Sequence, residues 1–168
     1  MSIFNDLLDI KAFRERKAET EVMRARGEVQ LRKQAHQATV AALDAWRVEA
    51  VERELALYRE LCARIVKLRD IENVQQEVGG FRQTEQVRER AVEEAVAAVE
   101  VARDELSQAA GRLLEATRMK EKFVELAGDY DDELRREAER REDLEMEEAA
   151  STMHQREELE AWEASQHD

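Results

Sequence analysis

The stretch that decides the fold runs from Ala91 to Leu134 and reads AVEEAVAAVEVARDELSQAAGRLLEATRMKEKFVELAGDYDDEL. Its apolar side chains recur at alternating spacings of three and four residues, over about six heptads. Only Lys120 departs from the pattern. The seam consists of Val92, Ala95, Val99, Ala102, Leu106, Ala109, Leu113, Ala116, Lys120, Phe123, Ala127, Tyr130 and Leu134. A seam of this kind is typical of a helix that packs along another helix in a coiled coil.

The composition outside this stretch also favours long helices. Charged residues make up 40% of the 168 residues and aromatic residues only 5%, which is too lopsided for an ordinary globular core. Alanine, glutamate, arginine and leucine are good helix formers, and the chain has no proline to interrupt a helix.

The two adjacent glycines, Gly79 and Gly80, lie close to the middle of the chain and predict its one turn. We therefore expect an all-α fold, a long antiparallel two-helix coiled-coil hairpin that forms a single domain over residues 1–168. Its first helix is predicted at about 3–77, its turn near 78–82 and its second helix at about 83–163. In this register the seam faces residues from about 67 down to about 25, and the two chain ends lie together.

The net charge of −13 is unevenly distributed. Residues 1–80 carry 14 basic and 14 acidic side chains, whereas residues 81–168 carry 13 and 26. An acidic surface repels phosphate backbones, which argues against nucleic acid as a partner and favours a basic protein surface. The alternative is that these carboxylates only solvate an exposed helix.

Residues able to support catalysis or bind a metal are sparse. Cys62 is the single cysteine, and His36, His154 and His167 have no ligand partners at metal-binding spacing. We find no phosphate-binding loop and no nucleophile motif, so the sequence predicts no enzyme, no cofactor and no metal. Lys120 either specifies the register of the seam or extends its amine from the seam to water. The sequence also lacks a signal-peptide pattern and a membrane span, which predicts a cytoplasmic protein.

Four segments of the chain resemble the YscO/FliJ family of type III secretion stalk proteins, the injectisome branch more than the flagellar one. They are LLDIKAFRERKAE (Leu7 to Glu19), LYRELCARIVKLRDIE (Leu57 to Glu72), MKEKFVEL (Met119 to Leu126) and RREAERREDLEMEE (Arg135 to Glu148). The resemblance implies a non-enzymatic stalk similar to the central shaft of rotary ATPases. It also implies insertion into a hexameric secretion ATPase, contact with the cytoplasmic domain of the export gate, and binding of secretion chaperones.

The same resemblance nominates interaction residues by their place in the hairpin. The paired chain ends would contact the ATPase through Leu7, Leu8, Phe13 and Trp162. The region towards the turn would contact the export gate or a chaperone through Tyr58, Leu61, Leu68 and Phe81. The protein is expected to be a monomer at the cytoplasmic face of the secretion apparatus, reaching the membrane only through its partners.

Two other functions remain open at this point. One is a structural coiled coil that associates with itself, with helices continuous through Gly79-Gly80. The other is a peripheral stalk subunit of an ATPase, although such subunits usually carry a compact globular end that this sequence does not predict.

Overall fold

A computed structural model describes residues 3–166 of the chain. It contains two helices, α1 over Ile3–Cys62 and α2 over Leu68–Ser165. They pack against each other in antiparallel orientation, so the prediction of an all-α helical hairpin is confirmed. No strand occurs among these described residues. The lack of proline and the abundance of good helix formers account for helices of 60 and 98 residues.

The turn of the hairpin lies between Cys62 and Leu68, so the predicted turn near 78–82 is wrong. The first helix ends earlier than 77 and the second begins earlier than 83. Gly79 and Gly80 lie within α2, and neither has a positive φ. Val78 is buried and Phe81 is half-buried. Burial of these two side chains offsets the roughly 1 kcal/mol that each glycine costs inside a helix.

A polar cap defines the start of α2. The Lys67 N–H donates to Asp70 Oδ2 at 3.0 Å, and the Asp70 N–H donates to Lys67 O at 2.9 Å. Lys67 is therefore the N-cap, and Asp70 takes the place of the acidic residue in a capping box. The two residues before the cap, Ile65 and Val66, are β-branched and form helix less readily. The turn thus forms without glycine or proline.

The chain divides into two compact units. The central unit spans Arg14–Ala116 and contains the turn. The terminal unit combines the described residues up to Phe13 with those from Thr117 onward.

The core of the central unit follows the predicted seam. Every seam position from Val92 to Ala116 is buried or half-buried. The buried residues of this unit are Ala18, Val22, Val29, Leu43, Val78, Val99, Ala102 and Ala109. The register, however, differs from the prediction, because Arg112 Nε lies 3.6 Å from Glu21 and Arg47 Nε lies 2.8 Å from Glu85. Facing residues are centred on the observed turn, and not on Gly79-Gly80.

The terminal unit holds the beginning of α1 against α2. The Phe4 and Tyr130 rings are 4.9 Å apart, and Lys11 Nζ lies 4.8 Å from the centre of the Phe123 ring. Ala127 is buried between these contacts along α2, whereas Tyr130 and Leu134 at the end of the seam are exposed. Lys120, the polar seam position, is half-buried.

Beyond Tyr130, α2 continues through a segment that we call the extension (131–165), in which every residue is exposed. The predicted pairing of the two chain ends is therefore wrong. The physical reason is the position of the turn: because the turn comes early in the chain, α1 has 60 residues and α2 has 98.

Candidate interaction surfaces

An aromatic contact in the central unit joins Trp46 of α1 to Phe81 of α2. Their rings meet edge to face with centres 5.9 Å apart, and Trp46 Nε1 donates to the Phe81 carbonyl oxygen at 3.3 Å. The guanidinium carbons of Arg53 and Arg88 lie 5.7 and 5.6 Å from the Trp46 ring. Phe81 was expected near the turn, but it lies inside α2 and packs between the helices.

An ion-pair cluster flanks this aromatic contact. Arg47 Nε donates to Glu85 Oε1 at 2.8 Å, and Arg47 Nη2 donates to Glu89 Oε1 at 3.1 Å. Hydrogen bonds to Glu85 and then to Glu89 raise the pKa of Arg47 above its ordinary value. Because the guanidinium is exposed, the cluster orients the two helices more than it stabilises them.

The turn end presents three of the nominated residues. Tyr58 and Leu68 are exposed, and Leu61 is half-buried. Leu61 lines an open groove of about 180 Å³ whose other walls are Leu57, Glu60, Arg64, Asp70, Asn73 and Val74. The structure therefore places Tyr58, Leu61 and Leu68 close to the turn, because the turn lies between Cys62 and Leu68 and not at Gly79-Gly80.

The Tyr58 side chain is tied to its own helix. The Tyr58 hydroxyl donates a hydrogen bond to the Glu54 carboxylate, and this bond stabilises the protonated phenol and raises the pKa of Tyr58 above its ordinary value of 10.0. The hydroxyl is thus held one turn back along α1, and the ring remains exposed.

The residues nominated at the chain ends do not lie together. Leu7 and Leu8 are half-buried at the start of α1, and Phe13 is exposed. Trp162 lies in the extension with 59% of its surface exposed. At 1.5 Å per residue, about 48 Å of helix separates it from Tyr130, which contacts Phe4.

The extension is strongly acidic. Residues 131–166 carry 14 acidic and 5 basic side chains. Ion pairs one turn apart join some of them: Arg135 Nη2 lies 3.4 Å from Asp132 and Arg141 Nη2 lies 4.0 Å from Glu137. His154 Nε2 lies 3.5 Å from Glu158 at the same spacing. Pairs at this spacing support a helix that has no apolar face to bury. The extension thus presents a long acidic surface.

One exposed apolar surface was missed by the sequence analysis. Val48, Val51, Leu55, Tyr58 and Cys62 are all exposed on α1, at spacings of three, four, three and four residues. We call this set the outer stripe. The alternating spacing of three and four residues is itself the signal that could have found it.

The described residues contain no group of three or more histidine, cysteine, aspartate or glutamate side chains placed to hold a metal ion. His36 is half-buried beside α2 and His154 pairs with Glu158, whereas His167 lies outside the described residues. No helix within residues 3–166 is long and apolar enough to cross a membrane.

Comparison with known proteins identifies the family of this two-helix chain. The family model described as type III secretion protein YscO matches residues 4–152. The chain belongs to the YscO family. The crystal structure of the type III secretion protein YscO from Vibrio parahaemolyticus, at 2.8 Å, is similar with a TM-score of 0.82. The similarity covers 87% of this chain and 92% of that one, at 28% identity. No curated protein sequence matches this chain.

Membership in the YscO family confirms the resemblance drawn from the four sequence segments and assigns the chain to type III secretion. The matched residues include the turn, the seam and the extension as far as residue 152. The segment LYRELCARIVKLRDIE, quoted for the resemblance, spans the turn itself. Trp162 lies beyond the matched residues.

Proposed function

We propose that this chain is the non-enzymatic central stalk of a type III secretion apparatus, and that its extension enters the pore of the hexameric secretion ATPase. The observation that carries the proposal is the extension, a helix in which every residue is exposed and acidic side chains outnumber basic ones by 14 to 5. A single helix is about 10 Å wide, so it fits a narrow ring pore better than a helix pair does.

The proposed contact between the extension and the ATPase pore depends on charge complementarity. A pore lined with basic side chains attracts the extension from a distance, and this attraction weakens as salt screens it. Trp162 supplies an apolar anchor near the far end of the extension. Phe13 remains available for a contact at the other end of the terminal unit, whereas Leu7 and Leu8 are partly covered by the hairpin.

The turn end is the proposed contact for the export gate and for secretion chaperones. Tyr58 and Leu68 offer exposed apolar surface, and Leu61 forms one wall of the adjoining groove. Phe81 supports this region from the interior, because its ring packs on Trp46. In this arrangement the stalk works at the cytoplasmic face of the apparatus and reaches the membrane only through its partners.

The proposal is tested with the secretion ATPase of the same system. Adding the full chain is expected to increase ATP hydrolysis. A variant with Glu142→Gln, Asp143→Asn, Glu147→Gln and Glu148→Gln is expected to lose most of this stimulation, and raising the salt concentration is expected to weaken the wild-type effect.

The matched control removes the same four charges from exposed positions of the central unit, by Glu93→Gln, Asp104→Asn, Glu94→Gln and Glu105→Gln. This control should stimulate like the wild type. Equal stimulation by the extension variant, with unchanged helical content, would show that the acidic surface is not the ATPase contact.

A further inference from the structure

The outer stripe is a second apolar surface of α1, separate from the surface that packs on α2. The core-facing residues of this part of α1 are Trp46, Ala50, Leu57 and Leu61. At 100° per residue, the outer stripe points about 120° away from them. Its five members are exposed in the central unit, and the fully exposed Ile65 follows them in the turn.

The spacing of the outer stripe indicates what kind of surface covers it. Alternating steps of three and four residues are the spacing at which one helix meets another in a coiled coil. Side chains so placed fill the holes between side chains of a second helix, and fit a flat or irregular surface less well. The expected occupant is therefore a helix.

The stripe is complementary to itself when a second copy runs antiparallel. With Leu55 placed against Leu55 of the second copy, Val51 lies opposite Tyr58 and Val48 lies opposite Cys62. A smaller residue thus meets a larger one at the Val51 and Tyr58 pairs, as good interdigitation requires. Such an arrangement has a twofold axis at Leu55, and both copies use the same residues.

The charges beside the stripe have the same symmetry. Glu52 and Arg59 occupy equivalent flanking positions one heptad apart on the same side of the stripe. Neither forms an ion pair within the part of the chain that the structure describes. In the antiparallel pair, Glu52 of each copy meets Arg59 of the other, which forms two ion pairs.

Long-range repulsion does not oppose this pairing within the central unit. Residues 14–116 carry 18 basic and 20 acidic side chains, so the unit is nearly neutral although the whole chain has a net charge of −13. One local contact is unfavourable: the two Glu54 side chains approach each other near the twofold axis. This repulsion weakens the dimer, so removal of the Glu54 charge is expected to strengthen it.

We propose that two copies of this chain pair through the outer stripe, antiparallel and symmetric about Leu55. The contact covers about four helical turns of each copy. The area that such a short contact buries is less than the roughly 800 Å² per partner of a standard stable interface. The pairing is therefore weak, with a dissociation constant on the order of 10 μM or higher. It differs from the expectation that the protein is a monomer, and it is independent of the proposed ATPase contact.

Cysteine cross-linking of the full chain tests the twofold axis directly. The variant Leu55→Cys/Cys62→Ser places one cysteine at the axis, and the control Leu114→Cys/Cys62→Ser places one at a site of equal exposure, 51% against 49%. Under mild oxidation the first variant is expected to form disulfide-linked dimers roughly tenfold faster than the control, because pairing raises the local thiol concentration. Equal rates would overturn the proposal.

Charge-reversal variants test whether the partner is a second copy of the chain and whether the two copies run antiparallel. In sedimentation equilibrium, Glu52→Arg and Arg59→Glu are each expected to weaken dimerisation roughly fivefold, and the double variant Glu52→Arg/Arg59→Glu is expected to restore it. Glu54→Gln is expected to strengthen it. Helical circular dichroism checks that each variant is folded. A wild-type chain that stays monomeric at several hundred micromolar, or a double variant that is not restored, would refute self-pairing through the outer stripe.

Discussion

At the scale of single residues, Trp46 joins the two helices of the central unit through several contacts. Few side chains of this hairpin are large and buried, because alanines make up much of the seam. Trp46 compensates by covering Phe81, by donating its indole N–H to a backbone carbonyl and by accepting two arginines near its ring faces. Aromatic and cation–π contacts of this kind add to the burial of the ring.

The chain has two tryptophans, so one serves as the control for the other. Trp46→Ala is expected to lower the free energy of unfolding by about 2 kcal/mol, since a half-buried aromatic ring and its hydrogen bond are lost. Trp162→Ala is expected to leave it unchanged, because Trp162 is exposed in the extension. Urea unfolding followed by circular dichroism measures both. Equal effects would contradict the packing role of Trp46.

The hydrogen bond between Tyr58 and Glu54 predicts a pH response. Tyr58 and Tyr130 are the only tyrosines, so in Tyr130→Phe the ultraviolet titration reports Tyr58 alone. Its pKa is expected above the ordinary value of 10.0, and Glu54→Gln should lower it. Because the folded pKa is raised, the contribution to stability is present below pH 10 and is lost as the pH rises through the folded pKa. A titration unaffected by Glu54→Gln would refute this contact.

At the scale of elements, the turn and the two helix lengths depend on one another. The hairpin bends at residues 63–67, where a carboxylate caps α2, and not at the glycine pair. This early bend leaves 60 residues in α1 and 98 in α2. The extension therefore exists because the turn is near residue 65 rather than near residue 80.

Substitutions at the two candidate turns distinguish them. Gly79→Ala and Gly80→Ala are each expected to raise the free energy of unfolding by about 1 kcal/mol, because both sites are helical and a Cβ there meets no atom within 4 Å. Asp70→Ala is expected to lower it by about 1 kcal/mol through loss of the cap. Thermal or urea unfolding provides the measurement. Destabilisation by the alanines at 79 and 80 would favour a turn at the glycines.

At the scale of the whole molecule, the excess acidic residues and most of the buried residues lie in different parts of the chain. The central unit is nearly neutral and holds most of the buried residues, whereas the acidic excess lies from Thr117 onward. Because of this separation, repulsion between acidic side chains destabilises the packed central unit little. The acidic excess is instead concentrated in residues that a basic partner can contact.

The register of the chain ends is testable by paired cysteines in a Cys62→Ser background. Phe4→Cys/Tyr130→Cys is expected to form an intramolecular disulfide more readily than its control, because the ring contact shows that positions 4 and 130 lie on facing sides of the two helices. The matched control, Phe4→Cys/Gln155→Cys, uses the partner that a turn at Gly79-Gly80 requires, and it should stay reduced. Mass spectrometry of the oxidised monomers shows which variant contains the disulfide. A disulfide in Phe4→Cys/Gln155→Cys and none in Phe4→Cys/Tyr130→Cys would favour the register with a turn at Gly79-Gly80.

Much of the fold follows from local sequence. Helix formation depends on residue propensity and on the spacing of apolar side chains, so the seam from Val92 to Ala127 was predicted position by position. Whether the nominated interaction residues bind partners stays a prediction, and the structure decides only where they lie. Tyr58, Leu61 and Leu68 lie near the observed turn, whereas Phe81 is packed inside the hairpin and Trp162 is far from the start of α1. The positions of Phe81 and Trp162 differ from the expected ones because the turn was misplaced.

The sequence by itself determined that the chain forms long helices, which face of α2 is buried and that the acidic excess lies towards the end of the chain. Only the tertiary structure decided where the chain turns, which residues face each other and how far α2 extends beyond α1. The physical reason is that helix periodicity is a local property. The position of the turn instead depends on packing along both helices, where burial of Val78, Phe81 and Trp46 outweighs the cost of two glycines in a helix.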